Sequence, residues 1–579
     1  MDDNEYEVEI LTEYILNIEV AKSGNETLKI NEYHVHSKYN PIIESERIAE
    51  KEYSMNCTHI VFGYGKGYVV DSLLRKMKNE SIIIVDPLIA MGKIQIEERH
   101  KNCEKIYYWE EKSINTLGYL ISTISEGKAL KIKVIVTPNY DKLFVKNYRD
   151  LLIYLRDFQN KTQINYNTEV FFANQWQRNF SINVPMIAKD ESLSVLHNQF
   201  DLPIVLAAGG PSLTKQLPLL KKIQEHVIII ASGSTVNSLL AADLEPDFVI
   251  SIDGGEPNYK HFKDLQFDKA RLIYSPYNHY GVRKSFRKRG YVFTQVSQEE
   301  VGKYLLDNIG INLPVLAGGG TVAHYGVTVA GLFNSGPIAM IGQDLAYTNN
   351  QTHAKGNKFA KEVEELSELN VELIPVEGYD GETVYTSRDF LSMKMVFEEI
   401  IRFYKPLVPI YNCTEGGVKL KGYEQMSFKD FVDTYVETTK VKNLDYIDNH
   451  DVNYKTDKEI VDIYKKELKL IGDLENLLIK GMNVLHKVKN NTFFDQHTLN
   501  LFDKIEKEIN QKSKKIQIHF LIGPITLEVS NCYLEKPNET QKEAFERVWN
   551  QTYTLYKRLL EAFKKVKINL RDVITEIED

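Results

Sequence analysis

Residues 202–213 read LPIVLAAGGPSL, residues 227–259 read VIIIASGSTVNSLLAADLEPDFVISIDGGEPNY, and residues 316–347 read LAGGGTVAHYGVTVAGLFNSGPIAMIGQDLAY. Three of the apolar runs in these stretches end abruptly in glycine, serine, threonine or aspartate. Near-continuous apolar runs are the pattern of strands buried on both faces of a parallel sheet, and their carboxyl ends are where such sheets carry sites. Bare packing does not demand so many glycines beside polar residues at strand ends. The stretch therefore predicts a parallel α/β domain with a functional edge.

Working outward, the predicted strands of this domain are 204–208, 227–231, 248–252, 271–274, 291–294, 337–341 and 371–376, with room for a helix in most gaps. Ser212, just past the glycine pair, is placed to cap the helix beginning at Leu213. GGGTVAHYGVTVAGLFNSG (318–336) predicts a tight turn feeding a buried helix, whose β-branched residues weaken its intrinsic propensity. Upstream, THIVFGYGKGYVVDSLLRKM (58–77) reads as strand, glycine turn and helix, and ESIIIVDP (80–87) as the next strand. KIYYWE, KIKVIVTP and TEVFFANQ are further strand candidates, and 143–160 is helical. Residues 1–50 read as a short arm or an α/β cap. After about 425, apolar residues three and four apart between charges predict helices. The expected organisation is a Rossmann-like parallel-sheet domain over 1–184, a central catalytic α/β domain over 185–424 and a helical bundle over 425–579.

Composition narrows the function. Lysine and arginine number 71 against 80 aspartates and glutamates, a net charge of -9, which leaves no global basic footprint for nucleic acid. The local run RKSFRKR (283–289) reads as a solvated face, with a polyanion contact as the alternative. Four scattered cysteines, 57, 103, 413 and 532, form neither a disulfide framework nor a zinc knuckle and suit a reducing cytoplasm. The start, MDDNEYEVEIL, is unlike a signal peptide, and no apolar run approaches the roughly 20 residues that cross a bilayer.

Several loops carry candidate chemistry. GYGKG (63–67), with Asp86 about 20 residues on, has the layout of a dinucleotide or adenosyl-methionine turn, and equally of a bare helix–strand packing turn. FANQWQR (172–178) combines aromatic, amide and basic groups and reads as an interdomain contact. Gly209, Gly210, Pro211 and Ser212 form a loop whose amides and following helix start suit a phosphate, and Ser232, Gly233, Ser234 and Thr235 repeat the design one strand on. No GxxxxGK[ST] is present. Asp253 and Gly254 end the third strand, and Asp253 suits hydroxyl groups; with Gly255 two positions on, there is no DxD metal motif. A base working near neutral pH is best an imidazole. His353, in the polar loop NNQTHAKG, is the better candidate; His324, on an apolar helix start, is the alternative. Tyr347 and Tyr325 are candidate phosphate donors, and Thr414 and Glu415 a candidate site floor. HExxH, GxSxG and paired cysteines are missing, against protease, lipase and zinc-enzyme chemistry.

GGPSL (209–213), SIDGGEP (251–257), GGGTVAHYG (318–326), GQDLAYT…THAKG (342–356) and EGYDGETVYT (377–386) together resemble the motility accessory factor family of bacterial flagellin glycosyltransferases, whose central domain is similar to bacterial sialyltransferases. The resemblance covers most of the chain. It implies inverting transfer of a nonulosonic acid, pseudaminic or legionaminic, from its CMP-activated donor to serine or threonine of flagellin, in the cytoplasm, with no metal or other cofactor. It implies His353 as base and Tyr347 beside the departing CMP. The donor would lie against Gly209, Gly210, Pro211, Ser212, Ser232, Gly233, Ser234, Asp253, Gly254, Gly319, Gly320, Thr321 and Asp344, with the N–H groups of Gly210 and Ser212 on its phosphate. Gly210 stands where the sialyltransferases place an asparagine. The central domain also resembles archaeal pterin diphosphokinases, a reading that needs ATP and magnesium on Asp253 and Asp344. A flagellin-binding chaperone without catalysis, and a methyltransferase acting through GYGKG, complete the alternatives. The sequence leaves open the choice of sugar, the flagellin residues modified and the oligomeric state.

Overall fold

The computed structural model describes residues 14–109, 115–124, 131–358, 360, 371–404, 406–448 and 454–579. The chain divides into two compact units. The first holds Met1–Phe171, Leu477–Ile505 and Ile522–Glu561; the second holds Phe172–Asn476, Glu506–Leu521 and Ala562–Asp579.

The first unit opens with a three-stranded antiparallel sheet, β1 (Leu16–Val20), β2 (Glu26–Ile30) and β3 (Tyr33–His34), and a helix, Pro41–Glu52, capped by Asn40. Residues 1–13 of the expected arm or cap lie outside the described residues. A four-stranded parallel sheet follows, built from β4 (Thr58–Phe62), β5 (Ser81–Val85), β6 (Ile106–Trp109) and β7 (Ile132–Val136) in the order β6-β5-β4-β7. Chain direction across the sheet reverses at β4, the arrangement of half a Rossmann fold. TEVFFANQ, expected as a strand, lies within one continuous helix, Val145–Ile187. Its β-branched and aromatic residues favour a strand locally, but the flanking turns of helix carry through them, and tertiary context overrides a weak propensity.

The second unit contains nine parallel strands. They are β8 (Glu191–Ser192), β9 (Ile204–Ala207), β10 (Ile228–Ser232), β11 (Phe248–Ser251), β12 (Arg271–Tyr274), β13 (Tyr291–Val292), β16 (Ile338–Ile341), β19 (Ile410–Asn412) and β20 (Glu424–Gln425), in the order β20-β19-β16-β9-β10-β11-β12-β13-β8. Two short pairs lie outside this sheet: β14 (Thr294–Gln295) with β15 (Val315–Leu316), and the antiparallel hairpin β17 (Ile374–Glu377) with β18 (Thr383–Thr386). The strand expected at 371–376 is thus half of a hairpin, its turn supplied by Tyr379–Gly381. Helix Val322–Phe333 covers β9–β11 with its apolar residues almost wholly buried, which offsets its poor intrinsic propensity. It approaches β9 so closely that a Cβ on Gly326 would lie 2.6 Å from Leu206 Cδ1.

The run RKSFRKR is in part a solvated face, with Lys284 and Arg287 exposed, and each of its cations has a carboxylate partner. Arg283 pairs with buried Asp190, Lys284 with Glu576, Arg287 with Asp268, Lys288 with Asp448 and Arg289 with Glu191. The cations are committed to carboxylates distant in sequence, which no local pattern reveals.

Past residue 456 the described chain is helical: Asp457–Val488, Gln496–Lys512, His519–Cys532 and Gln541–Glu578. In the first of these the buried stripe runs Ile460, Tyr464, Glu467, Ile471 and Leu474. Glu467 occupies an apolar position, accepting hydrogen bonds from the Tyr304 hydroxyl and from Gln517 N at 2.9 Å. Burial pushes its carboxyl up to about 7. An acid whose pKa rises on folding stabilises the fold below its unfolded value and loses that contribution as pH climbs through the folded value. Stability should therefore fall by about 3 kcal/mol between pH 4.5 and 7 on account of Glu467. Urea unfolding across that range checks this, and Glu467→Gln should flatten the slope.

Candidate functional site

In the first unit the glycine turn is filled by the protein itself. Gly63, Gly65 and Gly67 all have positive φ. A Cβ on Gly63 would lie 2.3 Å from the Tyr140 ring, one on Gly65 2.4 Å from His36 Nε2, and one on Gly67 2.7 Å from His100 Cε1. Asp86, where a cofactor's ribose would be held, accepts from Tyr64 N at 2.6 Å, the Tyr140 hydroxyl at 2.9 Å and Leu88 N at 2.7 Å. Burial pushes its carboxyl above the ordinary range. The Lys66 amide, on the same turn, donates to His36 Nε2 at 2.8 Å, and burial lowers that imidazole to about 4. Every feature that suggested a dinucleotide is present, and each is used by a side chain of this chain. Adding NAD or S-adenosylmethionine should leave the melting temperature unchanged, whereas Tyr140→Phe, which strips a donor from buried Asp86, should lower stability by about 1–3 kcal/mol.

In the second unit β16, β9, β10 and β11 are neighbours and end at one edge. The chain runs from β9 through β10 to β11 on one side, and β16 lies on the other, so the strand order reverses between β9 and β16. At such a switch point two loops diverge and leave a crevice.

The loops flanking that crevice are knotted around Asp344, which is 1% exposed. Its carboxylate accepts from Ser212 Oγ at 2.6 Å and Ser212 N at 3.2 Å, and Gly210 N donates to Gly342 O at 2.8 Å. Burial pushes the Asp344 carboxyl up, against the Ser212 hydrogen bonds. Two expectations change here. The Ser212 hydroxyl does not cap the following helix, because it is spent on Asp344. The amides of Gly210 and Ser212 already have protein acceptors and do not present N–H groups to a phosphate. A Cβ on Gly210 would lie 2.1 Å from Asp344 Oδ2, so an asparagine there has no room. Pro211 is buried beside them. Thr414 is wholly buried, with Oγ1 accepting from Gln343 N at 3.1 Å; Glu415 Oε2 accepts from Phe428 N at 3.1 Å. Gln216 ties the same strand ends, donating to the Cys413 and Thr414 carbonyls and accepting from Gly342 N at 3.1 Å.

The second gathering lies at the ends of β9 and β10. The 351–358 loop folds back so that Ala354 N donates to Gly209 O at 2.9 Å and Lys355 N to Thr214 Oγ1 at 3.1 Å. A Cβ on Gly209 would meet Thr235 Oγ1, Asn357 Nδ2 and His353 Cδ2 at 3.3, 3.6 and 4.0 Å. Asn357 Nδ2 lies 3.4 Å from Ser234 Oγ, and Ser232 Oγ donates to Ala207 O at 3.2 Å. Gly233, at φ +44°, stands 3.7 Å from Val322 Cγ2 at the start of the glycine-fed helix. The half-buried His353 has Nδ1 at 3.1 Å from Thr352 Oγ1, while Nε2 makes no hydrogen bond among the described residues. Burial lowers its pKa below the ordinary histidine value. His261 is also lowered, by burial first and then by the charge of Lys358. Asn357 carried no sequence signal; it reaches the site only because Gly356, at φ +85°, turns the loop against Ala241.

The third gathering is at β11. Asp253 keeps solvent contact, yet the protein crowding it pushes its carboxyl above the ordinary range. Gly254 is clasped by the long helix, with Asn179 Nδ2 donating to Gly254 O at 2.9 Å and to Tyr277 O at 3.1 Å. Phe172–Arg178 thus lies against the sheet edge within the second unit. Across from it, the Gly318 position is covered by the Tyr325 ring, Gly319 by Val396 and His324, and Gly320 is open; Thr321 precedes helix Val322–Phe333 without capping it through its side chain. His324 has no exposed surface; its Nε2 meets Met393 O at 2.9 Å and its ring packs on Phe397. Tyr347 packs its ring on Phe390, and its N–H donates to Tyr385 O at 3.2 Å.

Three strand spacings of about 4.8 Å separate the ends of β16 and β11, roughly 14 Å, so Asp344 and Asp253 do not fit a shared cation. Among the described residues no group of three or more His, Cys, Asp or Glu is placed to hold a metal ion, and no helix is long and apolar enough to cross a membrane.

With this geometry in place, two comparisons are informative. The family described as 6-hydroxymethylpterin diphosphokinase MptE-like matches residues 178–350. The structure of the MAf glycosyltransferase from Magnetospirillum magneticum AMB-1 is similar over 98% of this chain and 96% of that one, with a TM-score of 0.57 and 15% sequence identity. The chain therefore has the fold of that glycosyltransferase along nearly its whole length. None of the curated proteins matches the sequence.

Proposed function

We propose that this chain is an inverting glycosyltransferase that moves a nonulosonic acid from its CMP-activated donor to serine or threonine of flagellin. The observation that carries the reading is the 351–358 loop folded over Gly209, which gathers the His353 ring and the Thr235 and Asn357 side chains around that glycine, with Ser234 against Asn357, at the ends of β9 and β10. Likeness of fold to a MAf glycosyltransferase over 98% of the chain supports it.

In this reading His353 Nε2 takes the proton of the acceptor hydroxyl, and the oxygen attacks the anomeric C2 as the bond to the CMP oxygen breaks. Burial keeps the imidazole neutral, the form a base needs. Negative charge grows on the leaving phosphate. The hydroxyls of Ser234 and Thr235 and the Asn357 amide receive it. Tyr347 remains a candidate donor to the same phosphate. Flagellin as partner and the cytoplasm as location belong to the same proposal.

The test mixes the protein with CMP-pseudaminic or CMP-legionaminic acid and unmodified flagellin. Flagellin-dependent CMP release with a matching gain in flagellin mass is expected; no release with either donor overturns the reading. A second reading rests on the match of residues 178–350 to the pterin diphosphokinase family. AMP release from ATP in the presence of 6-hydroxymethylpterin would favour it.

A further inference from the structure

The three-stranded sheet of the first unit ends in an open edge. β1 pairs with β2, over Leu16↔Ile30, Asn17↔Lys29, Ile18↔Leu28, Glu19↔Thr27 and Val20↔Glu26, and has no strand on its other side among the described residues. The Asn31 amide donates to Ile15 O at 2.9 Å and the Ala21 amide to Asn25 O at 2.8 Å. Both contacts continue the same register, and in an antiparallel ladder hydrogen-bonded pairs alternate with unbonded ones. Asn17 and Glu19 therefore turn their peptide groups toward β2. Leu16, Ile18 and Val20 turn theirs outward, where their N–H and C=O groups meet no partner among the described residues.

The side chains of these three residues share the face of Ile30 and Leu28, which are buried in the core of the unit. Leu16 packs against that core, whereas Ile18 is 62% and Val20 75% exposed. Natural edge strands are blunted by lysine, proline or a bulge. β1, LNIEV, has none of these. Its register is unbroken, and its one charge, Glu19, lies on the other face with its carboxylate 3.0 Å from His34 Nε2. An exposed, regular, apolar edge is a template for a further strand.

The spacing says which strand fits. When β1 pairs antiparallel with itself about Ile18, that residue faces Ile18 of a second copy and Leu16 faces the second copy's Val20. Every outward N–H and C=O of both strands is then bonded, and apolar side chains meet apolar ones. On the opposite face Asn17 comes across from the second copy's Glu19, an amide donor against a carboxylate. The contact is isologous, so it closes at two chains.

We propose that β1 is a dimer contact, joining the three-stranded sheets of two copies into one six-stranded antiparallel sheet through Leu16–Val20. A five-residue ladder is smaller than the about 1,200–2,000 Å² interface of a tight complex, so the dimer should form at micromolar concentrations.

Sedimentation velocity of the full chain from about 1 to about 100 μM tests the proposal. The wild type should pass from monomer to dimer. Ile18→Lys, which sets two like charges face to face, should raise the dissociation constant at least about tenfold and leave the melting temperature unchanged. Cys532 is exposed, so crosslinking is read in a Cys532→Ser background. There Ile18→Cys should give a disulfide-linked dimer on oxidation, because directly opposed Cα atoms lie about 5.5 Å apart. Val20→Cys should not, since its counterpart lies about 14 Å along the ladder. A wild type still monomeric at about 100 μM overturns the proposal. So does a dimer that Ile18→Lys leaves intact, or one in which Val20→Cys crosslinks as readily as Ile18→Cys. Dimerisation that appears only once residues 1–13 are removed overturns it too, and assigns the edge to that segment.

Discussion

His353→Ala should lower sugar transfer about a thousandfold while leaving CMP affinity and flagellin binding close to wild type, because general base catalysis contributes about 10²- to 10⁴-fold. The pH profile separates this from a merely structural role. A base works only when neutral, and burial lowers the His353 pKa below its ordinary value of 6.5. The acid limb of wild-type transfer should therefore have its midpoint below pH 6.5. The residual rate of His353→Ala should lack that acid limb. Unchanged turnover in the variant would remove His353 from the chemistry. His324 would not inherit the role, since it has no exposed surface and its Nε2 is engaged by a backbone carbonyl.

The other large effect is on stability. Gly210 does not have positive φ, so alanine meets no backbone strain there; the cost is steric. Its Cβ would lie 2.1 Å from Asp344 Oδ2 and 2.5 Å from the Gly342 carbonyl, and the latter is backbone that cannot swing aside. Overpacking typically costs about 1–3 kcal/mol, and Gly210→Ala should reach the upper end of that range in a urea titration. Combined with Asp344→Ser, which removes the nearest atoms, the penalty should be smaller than the sum of the single changes by about 1 kcal/mol. Strict additivity would mean that the two residues do not compete for the same space.

The central strands were legible because each is a short apolar run broken by glycine or polar residues, and Arg271–Tyr274 coincides with its predicted bounds. What escaped was non-local. β8, β19 and β20 span only two or three residues, too few for a periodic signal. The glycine loops were rightly singled out as places of close approach, but the sequence does not say what approaches. At Gly210 it is a carboxylate three residues beyond the end of β16, and at Gly254 a tryptophan from a helix that begins at Val145. Likewise Asn179 and Asn183, one helical turn apart, look like ordinary surface amides until their carbonyl partners at Gly254, Pro276, Tyr277 and Asn278 are seen.

The self-filled turn of the first unit has a bearing on how such chains are read. Three glycines, a following helix and an acid at the next strand end are conventionally taken as the mark of a nucleotide cofactor. Here the same grammar is kept in force by a tyrosine and two histidines of the host polypeptide. A fingerprint of this kind therefore registers intimacy of contact, not the identity of the guest. Mutational intolerance at Gly63, Gly65 or Gly67 would reveal a keystone of the architecture, and need not report the loss of a coenzyme.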